Sequence, residues 1–260
     1  MRFLVLVLLV ISCASNKKEK TPAQKKAEIH YNQGTKELVN KDYTSALTHL
    51  IEANALSPDD ARILNNLGMA YYFKGSTDRG IRYIKRSLEV NPKNTDARLN
   101  LATIYMNRKN YSEAEKQYKT ILEDLTYPKQ QRTHYNLGVL YSKQGLYRQA
   151  FDQFNKSLKI DETYCPANFQ LGLTQYKQRN FKRAYEFFKD ASLGECYKLP
   201  EPQFYQALSL IKINNLPLAR LKFEEIAERF PRSDYARKSL QYLNRFPQII
   251  SKQAKKSQNL

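Results

Sequence analysis

Residues 61–94 read ARILNNLGMAYYFKGSTDRGIRYIKRSLEVNPKN. Apolar side chains recur at helical spacing on both sides of Gly75, which predicts two helices joined by a tight turn. Gly68 and Gly80 stand where these helices would cross, because a larger side chain at either place would push the helices apart. Pro92 cannot continue a helix and therefore closes the unit. The stretch thus predicts a helical hairpin.

The same hairpin pattern recurs along the 260-residue chain with a period of about 34 residues. The successive repeats span 27–60, 61–94, 95–130, 131–164, 165–199 and 200–233. Their first helices share a small residue, which is Gly34, Gly68, Ala102, Gly138, Gly172 or Ala207. Their second helices share another, which is Ala46, Gly80, Ala114, Ala150, Ala184 or Ala219. The turn position holds Tyr43, Thr77, Tyr111, Tyr147, Phe181 or Leu216, and a bulky position follows at Leu50, Ile84, Tyr118, Phe154, Phe188 or Phe223.

This pattern resembles the tetratricopeptide repeat, a helix–turn–helix unit with small residues at fixed positions. The predicted fold is an all-α superhelical solenoid of six repeats, in which each repeat buries its face on its neighbours. A right-handed twist is what the resemblance implies. Because a solenoid needs a capped end, residues 234–247 are predicted to form a capping helix, with Ser233 and Asp234 at its N-cap and Pro247 as its stop. Residues 248–260 are predicted to be a frayed basic tail.

The first residues have the pattern of a targeting signal. Arg2 is followed by nine consecutive apolar residues, 3–11. Nine are too few to span a bilayer, which needs about 20, but the pattern within 1–12 is typical of a secretory signal peptide. The segment 10–13 resembles a bacterial lipobox, which implies that Cys13 becomes the first mature residue and carries palmitate and other lipid. The alternative is an ordinary signal peptide followed by a chance cysteine. By analogy with lipoprotein sorting, Ala14 and Ser15 imply the periplasmic face of the outer membrane.

Residues 13–26 are polar and rich in lysine. A segment with low hydrophobicity and high charge has no core to join, so it is predicted to be a flexible tether below the lipid. Such a tether would reach at most about 45–50 Å.

Two cysteines remain besides Cys13. Cys165 opens the fifth repeat, and Cys196 lies just before the sixth, on the same edge of the solenoid. An exported protein meets an oxidising compartment, so a disulfide between them is expected. The alternative is a pair of unrelated buried thiols.

The formal net charge of +18 suggests a nucleic-acid partner, but other features argue against one. The export signal would place the protein outside the compartment that contains nucleic acid. The lysines are spread over helix surfaces, and the aromatic residues fall on core positions. The charge therefore predicts solvated helix faces. Attraction to anionic lipid or to an acidic partner stays open.

No catalytic motif occurs in the sequence. A phosphate-binding loop, H-E-x-x-H and G-x-S-x-G are all absent, so we expect neither enzymatic activity nor a cofactor. His30 and His134 share one repeat position and are predicted to pack, while His49 is a lone surface candidate. Because the histidines are scattered and far from the cysteines, no metal site is expected.

A tetratricopeptide resemblance implies that the first helix of each pair lines the inner surface. The inward residues in this register are Tyr31, Leu38, Met69, Tyr72, Phe73, Leu99, Met106, Tyr135, Val139, Phe169, Leu173, Tyr176, Phe204 and Ile211. We expect about half of them to be accessible and the others to pack between pairs. An exposed apolar patch of this kind marks a partner site, which would hold an extended segment or an amphipathic helix.

The whole arrangement resembles the PilF-, PilW- and Tgl-like pilotin lipoproteins of type IV pilus biogenesis. The residues that carry the resemblance are the lipobox, the tether, the repeats, and the joint 125–128 (LTYP) followed by 135–138 (YNLG). It implies a monomeric outer-membrane lipoprotein that binds secretin subunits and promotes their localisation and multimerisation. The alternative is a general scaffold lipoprotein for another envelope assembly, such as the Tad pilus or the cell-wall machinery.

Overall fold

A computed structural model of the chain describes residues 20–258, and every regular element in that range is helical. The helices are α1 Pro22–Asn40, α2 Tyr43–Leu56, α3 Ala61–Phe73, α4 Thr77–Val90, α5 Thr95–Asn107, α6 Tyr111–Glu123, α7 Gln130–Lys143, α8 Tyr147–Ile160, α9 Cys165–Lys177, α10 Phe181–Asp190, α11 Pro200–Lys212, α12 Leu216–Arg229 and α13 Asp234–Gln258. A short 3₁₀ helix, Gly194–Lys198, precedes α11. The predicted all-α class, with six helix pairs and a final capping helix, is confirmed.

The chain forms two compact units that divide between Ala97 and Arg98. The first unit contains α1–α4 and the start of α5. The second contains the rest of α5 and all later helices. In the first unit, a buried cluster of Ala46, Leu50, Leu67 and Ala70 joins the first two repeats.

The predicted close crossing of α3 and α4 is confirmed. A Cβ atom added to Gly68 would lie 2.6 Å from Cγ1 of Ile84 and 2.8 Å from the carbonyl oxygen of Gly80. The bulky position of the second helix is buried in every repeat, as at Ile84, Phe154 and Phe188. Small residues therefore let the helices approach, and the bulky residue fills the space beside the crossing.

The first helix begins earlier than the sequence predicted. Residues 13–26 were expected to be a flexible tether, but α1 already starts at Pro22, and Thr21 and Gln24 form a reciprocal capping box. Proline is favoured at the first helical position, and Ala27 one turn later is buried. The tether prediction is wrong from Pro22 onwards. Cys13, the signal peptide and the rest of the tether lie outside the described residues.

The last helix continues further than predicted. Pro247 was expected to stop the capping helix, yet it lies inside α13, which runs on to Gln258. Ser233 caps this helix as expected, since its hydroxyl accepts a hydrogen bond from the Ala236 amide at 3.0 Å. Phe246 and Ile249 flank the proline and pack against the buried cluster of the sixth repeat. This apolar contact offsets the backbone hydrogen bond that proline cannot donate.

Candidate functional site

The first-helix residues predicted to line a binding surface are mostly half-buried. Within the first unit these are Tyr31, Leu38, Met69, Tyr72 and Phe73, and within the second Leu99, Met106, Tyr135, Val139, Phe169, Leu173, Tyr176, Phe204 and Ile211. Phe73 is exposed at 47%, whereas Leu99 and Phe204 are buried at 5% and 6%. Leu99 and Phe204 therefore belong to the part of this set that packs between helices, and Leu99 drops out of the predicted binding surface.

In the first unit, several of these side chains hold the repeats together. Tyr31 and Leu38 pack against the buried cluster that joins the first two repeats. Phe73 stacks on Tyr43 with 4.7 Å between ring centroids, and its ring centroid lies 5.3 Å from that of Tyr72. Phe73 is thus partly exposed to solvent, while its ring also packs against Tyr43 of the preceding repeat.

Arg62 lies beside Tyr31, a residue of the predicted surface. The Arg62 guanidinium lies 4.9 Å from the ring centroid of Tyr31 and pairs with Glu28 at 2.9 Å and Asp60 at 2.7 Å. Its hydrogen bond holds the pKa of Glu28 below the ordinary value. Burial opposes ionisation of Asp60, but hydrogen bonds, chiefly from Arg62, outweigh burial and also lower that pKa. The pairs orient Arg62 over Tyr31.

In the second unit, aromatic side chains connect successive repeats. Tyr135 contacts Tyr164 at the entrance to the next repeat, with 5.7 Å between centroids. Phe169 and Tyr176 of α9 both contact Tyr205 of α11, at 5.7 Å and 6.2 Å. Tyr205 was missed by the sequence analysis, which placed the neighbouring Phe204 inward instead. Phe204 instead packs in the cluster below the capping helix.

A cleft of about 420 Å³ opens between α7 and α9 in the second unit. It is lined by Ser142, Tyr147, Gln170, Leu173, Thr174, Lys177 and Gln178. Leu173 was predicted to line the binding surface, whereas Tyr147 was identified only as a turn residue. Tyr147 is 60% exposed, and Tyr43, Tyr111 and Phe181 at the same repeat position are half-buried. An apolar wall beside amide and ammonium donors suits an extended peptide with an apolar side chain.

Comparison with known proteins identifies the repeats. Two tetratricopeptide-repeat family models match the chain, one over residues 61–94 and one over residues 95–163. Residues 61–163 therefore contain tetratricopeptide repeats. Proteins with these repeats generally mediate protein–protein interactions.

Two curated relatives are proteins of assembly pathways. The photosystem I assembly protein Ycf3 of Prochlorococcus marinus subsp. pastoris is 34% identical over 95 residues, which are 35% of this chain and 54% of Ycf3. The type IV pilus assembly protein PilF of Pseudomonas aeruginosa is 21% identical over 156 residues, which are 47% of this chain and 62% of PilF. The sequence match therefore spans less than two thirds of the length of either relative.

Two solved structures share the fold over most of the chain. A Pseudomonas aeruginosa PilF structure matches with a TM-score of 0.69 and 16% identity, covering 85% of this chain and 100% of PilF. A crystal structure of PilW, described as a widely conserved type IV pilus biogenesis factor, matches with a TM-score of 0.68 and 18% identity, covering 82% and 98%. At these identities the likeness shows the fold alone.

Cys165 and Cys196 form a disulfide in the structure. Cys165 is the first residue of α9, and Cys196 lies in the 3₁₀ helix. Their Cα atoms are 6.1 Å apart, and a disulfide connects them across 31 positions of the chain. The bridge holds the 3₁₀ segment against the start of α9.

Two histidines predicted to be apart lie together in the first repeat. The ring centroids of His30 and His49 are 5.8 Å apart, and Nδ1 of His30 lies 2.8 Å from Oε2 of Glu52. The prediction of scattered histidines is wrong here, because α1 and α2 pair antiparallel across positions 19 residues apart in sequence. His134 does pack in the protein, with its Nδ1 2.8 Å from Oε1 of Gln153. Among residues 20–258, no helix combines the length and hydrophobicity needed to cross a membrane.

Proposed function

We propose that this protein is an outer-membrane pilotin lipoprotein that binds secretin subunits and promotes their localisation and multimerisation in type IV pilus biogenesis. The main support is the extent of the shared fold: PilF is matched over 100% of its chain with a TM-score of 0.69. The lipobox-like residues before Cys13 agree with a lipid-anchored protein.

In this mechanism the lipid on Cys13 holds the repeats at the inner leaflet of the outer membrane. The cleft between α7 and α9 receives an apolar side chain of an extended secretin segment against Leu173 and Tyr147. Gln170 and Lys177 at the same cleft offer hydrogen bonds to the backbone or to a carboxylate of that segment. Binding is non-covalent, the protein acts as a monomer, and no catalysis is involved.

A general assembly scaffold is the second candidate. The relative with the higher identity, Ycf3, is a photosystem I assembly protein, so tetratricopeptide chains of this kind serve more than one assembly. In that case the lipoprotein would hold components of another envelope machine, such as the Tad pilus or the cell-wall machinery, on the same surface.

Deletion of the gene tests the proposal directly. The deletion strain should lose SDS-resistant secretin multimers from its outer membrane, and the wild-type gene should restore them. A Cys13→Ala variant should fail to incorporate labelled palmitate and should be lost from the outer-membrane fraction. Normal secretin multimers in the deletion strain would exclude the pilotin function, and a defect in another envelope assembly would then favour the scaffold.

A further inference from the structure

We propose that the first repeat binds a divalent transition-metal ion between His30, His49 and Glu52, at a site independent of the proposed pilotin function. His30 lies on α1, and His49 and Glu52 lie on α2. One ligand atom from each side chain lies within 4.8 Å of the other two. Two imidazoles and one carboxylate are a known zinc ligand set, which leaves the fourth position open for water or a further ligand.

Helix geometry places the three side chains together. His49 and Glu52 are three residues apart on α2, so they share one face of that helix. The helices are close because Gly34 has no side chain: a Cβ atom there would lie 2.6 Å from Cγ of Leu50. His30 is one turn before Gly34, and His49 is next to Leu50. The tight crossing thereby turns the two imidazoles towards each other.

The Nδ1 atoms of both imidazoles lack a hydrogen-bond partner within the described residues. Nδ1 of His49 is buried and makes no hydrogen bond within the described residues. Nδ1 of His30 is at hydrogen-bond distance from Glu52, but the contact lacks the direction of a hydrogen bond and leaves this buried nitrogen unsatisfied too. Buried polar atoms without a partner are rare and need an explanation. A bound ion would supply the missing partner of both rings.

Only small movements would complete the coordination. Tetrahedral zinc with ligand bonds of about 2.0–2.1 Å separates its ligands by roughly 3.3 Å, and the present atoms already lie within 4.8 Å of one another. Glu52 has freedom to adjust, since its side chain is 50% exposed, while His30 is only 18% exposed. The site therefore combines one nearly buried imidazole with a carboxylate that can close from the surface.

The donor atoms also select the class of ion. Imidazole nitrogen suits zinc, nickel and copper, whereas magnesium and calcium prefer sites made of oxygen atoms. An ion bound here would link α1 to α2 and would stabilise the first repeat, because it binds the folded state and no such constellation exists in the unfolded chain.

Isothermal titration of the full chain with zinc chloride tests the site. The protein is made without a polyhistidine tag and stripped with a chelator. Wild-type protein should bind one zinc ion that His49→Ala does not bind, or should bind that ion more than about tenfold more tightly. The reason is that the loss of a metal ligand weakens binding at least as much as the loss of a residue that supports a ligand. His134→Ala is the matched control, because it removes a half-buried histidine that already has Gln153 as a partner, and it should bind zinc as the wild type does.

A second variant and two further measurements test the site even if His49→Ala folds poorly. Glu52→Gln is nearly isosteric at a half-exposed position and should weaken zinc binding without loss of helical circular dichroism. Cobalt(II) should give the visible absorption of a tetrahedral site in the wild type but not in Glu52→Gln. Zinc should raise the melting temperature of the wild type, whereas magnesium should not. Equal zinc binding by wild type and Glu52→Gln, or none by either, would overturn the proposal and leave a simple histidine–carboxylate contact.

Discussion

Gly68 determines how closely α3 and α4 cross. The structure leaves no room for a side chain there, because Ile84 and the Gly80 backbone occupy the space that a Cβ atom would need. The same relation holds between Gly138 and Phe154 in the second unit. Glycine at this position thus allows the short distance between the two helices of a repeat.

Replacing Gly68 with valine should destabilise the protein by about 1–3 kcal/mol through overpacking. The blocking atoms include a backbone carbonyl, which cannot rotate away as a side-chain end can. Urea unfolding followed by circular dichroism measures the loss. Lys85→Ala, an exposed change on α4, is the control and should stay within about 0.5 kcal/mol of the wild type. An unchanged midpoint for Gly68→Val would show that the crossing is not tightly packed.

At the scale of elements, the turns show a shared backbone conformation with different residues. The equivalent turn residues Lys41, Gly75, Lys109, Gly145, Arg179 and Asn214 all have positive φ, between 60° and 84°. Only two of them are glycine, although residues with side chains disfavour this region. The helical hairpin therefore requires a positive φ at this turn residue, although the sequence supplies glycine at only two of the six positions.

The bridge between α9 and the 3₁₀ helix should stabilise the second unit by about 3–4 kcal/mol, as expected in the chain-entropy model for a loop of this size. In a Cys13→Ser background, unreduced denatured protein should show no titratable thiol, and reduction should release both Cys165 and Cys196. Reduction should also lower the urea midpoint. Two free thiols before reduction would show that the cysteines are not bridged in the isolated protein.

A hydrogen bond between α6 and α7 should make stability fall at alkaline pH. The Tyr141 hydroxyl donates to Oε1 of Glu115 at 2.9 Å, and burial, together with this bond, raises the pKa of Tyr141 to about 12. Since an unfolded tyrosine titrates near about 10, the stabilisation is complete below that pH and is lost as pH rises from about 10 to about 12.

The urea midpoint measures this dependence. Between about pH 9 and about pH 11, the wild type should lose about 1 kcal/mol more than Tyr141→Phe, which has no hydroxyl to ionise. Tyr147→Phe removes an exposed hydroxyl instead and should follow the wild type. Identical alkaline losses in wild type and Tyr141→Phe would rule out this contribution.

At the scale of the whole molecule, the question is which surface meets the partner. In the first unit, Tyr72 and Phe73 are adjacent aromatic residues of the predicted surface, and Phe73 is exposed. In the second unit, the cleft at Leu173 offers a concave, partly open site. Aromatic anchors and enclosed apolar pockets contribute most to binding energy at interfaces.

Tyr72→Ala with Phe73→Ala should reduce secretin multimers in cells, because lost aromatic anchors cost about 2 kcal/mol or more. Leu173→Ala with Tyr147→Ala should do the same through the cleft. The control is Lys85→Ala with Lys116→Ala, an exposed pair that should matter little. Each variant is first checked for helical circular dichroism and export. Loss of multimers only in the lysine pair would move the partner to the basic outer surface.

The repeats themselves were determined by the sequence. Because small and bulky residues recur at fixed spacing, the pairs, the crossings at Gly68 and Gly80, and the turn at Gly75 all follow from local rules of helix packing. The start of α1 was also encoded, in the capping box of Thr21 and Gln24, although charge alone pointed to a tether. These features depend on residues within one turn or one repeat.

Only the tertiary structure decided what distant residues do together. Pro247 looked like a stop, but α13 continues because Phe246 and Ile249 gain apolar contact with the sixth repeat. Leu99 was assigned to the surface by its helical phase, yet it is buried. His30 and His49 belong to different helices, and the spacing between them in sequence gives no sign that the crossing at Gly34 turns their rings together. Periodicity assigns a residue to a face of its own helix, whereas its neighbours are set by how the helices pack.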